Sequence, residues 1–216
     1  LQQYFRTQKP GLFISAFPRV NIISLAASLF SGSATKIVIT EHSVFSMLPV
    51  IAKNAFRRTF ARIFMPLLAK VLYPKAGAII CVSKGIAQDL VTIIGGTHKM
   101  NIVYNPIIDD TVYELADLPV NHPWFFNSGI PVILSVGRLV VCKDYPTLLK
   151  AFALVVKTRP ARLVILGDGP EKEVLKNLVE KMGLSGQVVF LGFQKNPYAY
   201  MKKASLFALS SLQEGF

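Results

Sequence analysis

From residue 130 onward, short uninterrupted apolar runs alternate with stretches whose apolar residues recur at helical spacing, and this alternation restricts the fold more than any other feature of the chain. Residues 132–136 (VILSV) form a near-continuous apolar run rather than an in-out alternation, the pattern of a strand buried on both faces and so of a parallel sheet. After a loop, Asp144 is placed to cap a helix with Pro146 in its first turn and with Leu148, Leu149, Phe152, Val155 and Val156 along one face. A second strand at 162–166 leads through Gly167-Asp168-Gly169-Pro170 into a helix with Glu171 and Glu173 near its positive end, a Leu175, Leu178, Val179, Met182 stripe, and Gly183 as its stop. Strand 188–191, a short helix opened by Asn196-Pro197 and strand 206–209 complete the order β-α-β-α-β-α-β. That order predicts a doubly wound α/β domain over 130–216.

The first half follows the same logic less legibly. It offers a strand at 36–40, a helical region over about 51–72 kinked at Pro66, a strand at 78–82 and a helix after Ser83, which together predict a Rossmann-like domain over 1–106. Residues 107–129 carry Asp109, Asp110, Pro119 and Pro123 without steady periodicity and are expected to be a linker. Within the first half, Phe56, Phe60, Ile63, Phe64, Leu67 and Val71 share one side of a helix with Arg58 and Arg62 opposite and Arg57 flanking. This pattern suits a helix lying in a membrane interface. It equally suits a core-facing helix with a solvated basic face.

Composition removes several classes of function. A 52% hydrophobic content excludes a disordered tail. The apolar run at 12–17 is short and interrupted by Pro18, so no signal peptide is read, and no stretch of about 18 uncharged apolar residues provides a membrane span. Cys81 and Cys142 are too few for a disulfide scaffold, which favours a reducing cytoplasm. His42, His98 and His122 are scattered, no His or Cys falls at metal-ligand spacing, and no D-x-D occurs, so no metal is expected. Charge is uneven: residues 1–106 hold half of the 24 Lys and Arg but only Glu41 and Asp89 among the acids. Such a field attracts anionic surfaces or ligands. No nucleic-acid recognition motif accompanies it.

In an open parallel sheet, ligands bind beyond the carboxyl ends of the strands. The loop after 132–136 supplies Gly137 and Arg138, then Lys143: backbone able to approach a ligand, and two cations suited to a diphosphate. A helix-capping loop with a solvated lysine accounts for the same residues. Gly167-Asp168-Gly169 is half of a dinucleotide fingerprint, and a plain tight turn explains it better. Glu214-Gly215-Phe216 places a carboxylate and a glycine at the same sheet edge. His42, at a strand end, reads by itself as a structural hydrogen-bonding residue.

Taken together, Ser135-Val136-Gly137-Arg138-Leu139, Lys143-Asp144, Ala151-Phe152, Leu166-Gly167-Asp168-Gly169-Pro170, Val189-Phe190-Leu191-Gly192-Phe193 and residues 210–216 resemble the donor-binding domain of the retaining GT-B glycosyltransferases of family 4. Thr40-Glu41-His42, Cys81-Val82-Ser83 and Tyr104-Asn105-Pro106 resemble segments of that family's acceptor-side domain. The resemblance implies two Rossmann-like domains facing a cleft, both incomplete here: a glycine-rich loop would precede Leu1, and the second glutamate of an E-x7-E motif begun by Glu214 would follow Phe216.

By the same resemblance, Gly137, Arg138 and Lys143 would hold the donor diphosphate, and Glu214 with the backbone of Gly215 and Phe216 would hold the sugar. His42 would reach the transferred sugar, and Gly167 and Phe193 would contribute weakly to nucleotide binding. The implied reaction transfers a sugar from a UDP- or GDP-sugar, a substrate and not a cofactor, to an acceptor hydroxyl with retention and without a metal. The acceptor would be lipid-linked or a polysaccharide, at an anionic inner-leaflet membrane surface. Two alternatives remain: another GT-B enzyme such as a nucleotide-sugar epimerase, or a non-catalytic nucleotide- or membrane-binding fragment.

Overall fold

The computed structural model describes residues 1–49, 54–96, 99–106, 108–126 and 129–214. They divide into two compact units, Leu1–Asn105 with the residues from Gln213 on, and Pro106–Leu212.

The first unit is built on a four-stranded parallel sheet of β1 (Leu12–Ala16), β2 (Lys36–Glu41), β3 (Ala78–Cys81) and β4 (Met100–Ile102), hydrogen-bonded in that order. A short helix α1 (Gln2–Gln8) precedes it, and α2 (Pro18–Ser31), α3 (Ala55–Leu72) and α4 (Lys84–Ile94) connect the strands. Local signals set their ends. Pro18 opens α2, where a missing N–H costs no hydrogen bond, and Gly32 closes it at φ 66°. The side chains of Asn54 and Ser83 accept from the backbone N–H of Arg57 (2.9 Å) and Ile86 (3.2 Å) to cap α3 and α4. One sheet face carries the core, in which Ile37, Ile39, Ile79 and Cys81 pack against Ile22 and Leu25 of α2, Met65 and Ala69 of α3, and Ile86 and Leu90 of α4. Four elements were not expected, α1, β1, α2 and β4: the run at 12–17 supplies β1, and Pro18, read as an interruption, starts α2.

Helix α3 continues through Pro66. The first residues of the helical region expected from about 51 lie outside the described residues. Its core side is made by Ala61, Met65, Ala69 and Leu72, while Phe56 is 81% exposed and Ile63, Phe64, Leu67 and Val71 are also exposed. The aromatic-aliphatic stripe is therefore not the core-facing side, a rotation that periodicity alone did not resolve.

The second unit contains β5 (Val132–Val136), β6 (Arg162–Leu166), β7 (Val188–Gly192) and β8 (Leu206–Phe207), all parallel, in the order β7-β6-β5-β8. Helices α6 (Tyr145–Val156), α7 (Lys172–Lys181) and α8 (Tyr198–Lys203) connect them, after α5 (Asp110–Asp117). Leu149, Phe152, Leu175 and Val179 cover one sheet face against Leu163 and Ile165. On the other face, Leu134, Val164 and Leu166 pack with Trp124, Tyr200 and Met201. Both faces are covered, as the continuous apolar strands require.

Three details differ from expectation. Over its described part, the stretch 107–129 is not an open linker: Asp109 caps α5, the Asn196 amide donates to the Leu115 carbonyl (2.7 Å), Lys202 pairs with Asp117, and Arg162 lies 5.1 Å over the Trp124 ring. Helix α5 thus packs on α8 and belongs to the second unit, where its Leu115 carbonyl and its Asp117 carboxylate find their partners. Asp144 precedes α6 in the left-handed conformation (φ 44°) and makes no side-chain capping bond. Strand β8 is only two residues long, with Leu206, Phe207 and Leu209 exposed at 56%, 43% and 42%.

Candidate functional site

The strand order β7-β6-β5-β8 reverses direction between β5 and β8, which makes the carboxyl end of β5 the switch point at which doubly wound sheets take ligands. A cavity of about 600 Å3 opens at the carboxyl end of β5 on its β6 and β7 side, lined by Gly137 and Arg138 after β5, Gly167 and Asp168 after β6, and Phe193 and Gln194 after β7. Its shape follows from two glycines. A Cβ at Gly167, where φ is 131°, would lie 2.0 Å from the Gly137 carbonyl oxygen, and one at Gly169 would lie 2.3 Å from that of Leu139. The two loops are therefore packed backbone to backbone, and the glycine pair that resembled half of a nucleotide fingerprint is first of all a packing device. Backbone bonds fix the same contact: Gly137 N–H donates to Leu166, Leu139 N–H to Asp168 and Glu171 N–H to Leu139.

Arg138 is exposed within this cavity, and the Phe193 ring, 75% exposed, forms part of its wall. Lys143 is half-buried, with its aliphatic stem beside Gly137. Three donors position its loop: Tyr145 hydroxyl donates to the Gly137 carbonyl (3.1 Å), Ser210 hydroxyl is shared between the carbonyls of Lys143 (3.0 Å) and Asp144 (2.8 Å), and Leu212 N–H donates to that of Cys142 (2.9 Å). Tyr145 and Ser210 do not appear among the residues expected from sequence, since a hydroxyl directed at a backbone carbonyl leaves no motif. Asp168, which is exposed, is held below the usual carboxylate range by its bond to Lys172 and by the Gly169 N–H.

Of the residues singled out from sequence, Gly137, Arg138, Gly167 and Phe193 share this cavity, with Lys143 beside Gly137. His42 and Glu214 do not line it. Glu214 is half-buried and groups with the first unit, where the neighbouring Gln213 amide donates to the Val44 carbonyl (3.3 Å). Gly215 and Phe216 lie outside the described residues. His42 follows β2, with Nε2 3.1 Å from the Thr40 hydroxyl and its ring 5.7 Å from that of Phe17.

Beneath His42 lies a polar cluster with no sequence signature. Glu41 is 1% exposed, and its Oε1 accepts from the Tyr73 hydroxyl and from the Asn21 amide (2.8 Å). Asn21 also donates to the Thr40 carbonyl (2.9 Å) and accepts from Ser15 (2.7 Å). Burial raises the Glu41 carboxyl to about 7, against the lowering effect of the Tyr73 and Asn21 hydrogen bonds. Burial and the nearby Glu41 charge raise Cys81 to about 11 and the Tyr73 phenol above its ordinary range.

Among the described residues no group of three or more His, Cys, Asp and Glu is placed to hold a metal ion, and no helix is long and apolar enough to cross a membrane.

Comparisons with known proteins bear on the family and the fold. The family model for Glycosyltransferase Family 4 matches residues 1–111, and that for Glycosyl transferases group 1 matches residues 122–216. Over 201 residues the chain is 37% identical to the N-acetylgalactosamine-N,N'-diacetylbacillosaminyl-diphospho-undecaprenol 4-alpha-N-acetylgalactosaminyltransferase of Campylobacter jejuni, covering 92% of this chain and 50% of that protein. It is 29% identical over 136 residues to the lipopolysaccharide core biosynthesis glycosyltransferase LpsE of Rhizobium meliloti, covering 63% of this chain and 38% of that one. The chain thus spans half or less of these two relatives.

Among solved structures, the Anabaena HepE protein in complex with UDP and glucose matches with a TM-score of 0.71 at 19% identity, covering 99% of this chain and 57% of that one. The lipopolysaccharide outer core galactosyltransferase WaaB matches at 0.62 and 21% identity, covering 97% and 52%. The GT-B fold expected from sequence is shown by this likeness. With the family 4 model spanning just over half of the chain and the group 1 model most of the remainder, the chain belongs to the group 1, family 4 glycosyltransferases.

Proposed function

We propose that the full-length protein carrying this chain transfers a sugar from a UDP-sugar to a hydroxyl of a bacterial glycan acceptor, with retention at the anomeric carbon and without an obligatory metal. The observation that carries this is the cavity at the carboxyl end of β5, where Arg138 and Gly137 stand together with Lys143 beside them. When the bond from the anomeric carbon to the diphosphate breaks and the acceptor oxygen bonds in its place, negative charge collects on the departing nucleoside diphosphate. Preorganised cations stabilise that charge more than the charge of the ground state. Phe193 offers an apolar wall to the base.

UDP is favoured over GDP because HepE, of like fold, is described with UDP. A lipid-linked acceptor is favoured by the name of the C. jejuni relative. The exposed Phe56, Ile63 and Phe64 of α3, on a helix that also carries Arg57, Arg58 and Arg62, suit an anionic membrane surface where such an acceptor resides.

The test is a transfer assay on the full-length protein with UDP-N-acetylgalactosamine, UDP-N-acetylglucosamine and UDP-glucose, with and without a diphospho-undecaprenol-linked glycan in anionic vesicles. UDP release that depends on acceptor, with an α-linked product, is expected, together with sedimentation on anionic but not neutral vesicles. Release of free sugar without acceptor would favour the epimerase-type alternative, and no turnover of any of the three donors would contradict the proposal.

A further inference from the structure

At the carboxyl edge of the first sheet, the turn from β1 into α2 passes through Phe17 at φ 73° and ψ 142°. A bulky L-residue in that region is a steric outlier, and such outliers persist only where the surroundings fix them. Pro18, which follows, keeps Phe17 from relaxing into the helix. From below, the Phe17 N–H donates to the Thr40 carbonyl (3.2 Å), and the buried Asn21 amide grips the same carbonyl and Glu41, which Tyr73 holds in turn.

The clamp presents a ring to solvent rather than burying it. Phe17 is 56% exposed, and its centroid lies 5.7 Å from the His42 imidazole at an interplanar angle of 43°. Glycine would take this backbone without strain, so an exposed aromatic ring held here by a buried network calls for a ligand.

We propose that Phe17 and His42 form a stacking subsite for one pyranose ring of the acceptor glycan. The ring face of Phe17 takes the apolar C–H face of the sugar, the imidazole supplies the polar complement for a hydroxyl, and Asn21 and Glu41 are positioning residues that set the two rings. The assignment of that sugar to the acceptor rests on the transferase reading; binding of a sugar ring at Phe17 does not.

The two are separated by measuring binding without turnover. Saturation-transfer NMR on the full-length protein with methyl N-acetyl-α-galactosaminide as probe is expected to mark the ring C–H protons. Phe17→Gly removes the ring and the strain together. It should abolish the signal while leaving the melting temperature equal or higher and the UDP affinity within twofold, and Phe17→Tyr should keep the signal. In the transfer assay Phe17→Gly should raise the KM for acceptor at least tenfold and leave that for donor unchanged. No saturation transfer to the wild-type protein, or undiminished transfer to Phe17→Gly, would overturn the subsite. A rise in donor KM instead would overturn its assignment to the acceptor. A protein that binds the probe through Phe17 but transfers nothing would sink the transferase reading alone.

Discussion

Glu41 is the residue whose chemistry departs furthest from what its position in the sequence suggests. A glutamate ending an apolar strand would ordinarily reach water, yet here it is buried, and only one of its two oxygens has partners among the described residues. In the unfolded chain it ionises near 4.5, and in the fold near 7. Between those values the folded state binds more protons than the unfolded one, so the stabilisation is fully present below about 4.5 and is lost as pH rises through about 7. The difference is on the order of 3 kcal/mol. Glu41→Gln keeps the shape and an oxygen for Tyr73 while removing the titration. Urea denaturation at about pH 5 and about pH 8 should show wild-type stability falling with pH and the difference from Glu41→Gln closing or reversing in favour of the variant. Equal slopes for both proteins would contradict the raised pKa.

Between elements, the decisive contact is the backbone packing of the β5–α6 loop on the β6–α7 loop. An alanine Cβ at Gly167 meets a carbonyl oxygen at 2.0 Å, and backbone cannot yield as a flexible side chain would. Gly183, at φ 69° with open space around it, is the internal control. Gly183→Ala should cost about 1 kcal/mol from its conformation alone. Gly167→Ala should cost at least about 3 kcal/mol or displace the Gly137–Arg138 turn, weakening UDP binding with it. Thermal unfolding and UDP titration of both variants check this, and equal effects of the two substitutions would contradict the packing role.

Much of the second unit was legible at this scale. Strands 132–136 and 162–166 are found as expected because they are central strands whose burial on both faces leaves an unbroken apolar run. Asp144 misled because Asp before Pro146 suggests a cap, whereas the chain enters α6 through a left-handed turn held by Ser210 from another loop. In the first unit, β1 and α2 are illegible because Pro18, which interrupts an apolar run, is equally at home in the first turn of a helix. The polar cluster joins Ser15, Asn21, Glu41 and Tyr73, which are separated by up to 58 positions. Only the tertiary fold brings them together. The site was legible where loops follow strands, at Gly137, Arg138 and Gly167, and illegible where hydroxyls position a loop from a distance.

For the molecule as a whole, one parallel sheet carries a strained aromatic beside a histidine at its carboxyl edge, and the other carries cations beside a glycine-lined cavity. The central claim is that Arg138 and Lys143 hold a nucleoside diphosphate without a metal. A charge-assisted hydrogen bond contributes on the order of 1.5 to 3 kcal/mol, so each cation should be worth about tenfold or more in affinity. Isothermal titration of UDP into the full-length protein is the most direct measurement. Arg138→Ala and Lys143→Ala should each weaken binding at least about tenfold, the double variant at least about a hundredfold, and EDTA should change nothing. Unaltered UDP affinity in the double variant, or affinity that vanishes on chelation and returns with manganese, would contradict the account.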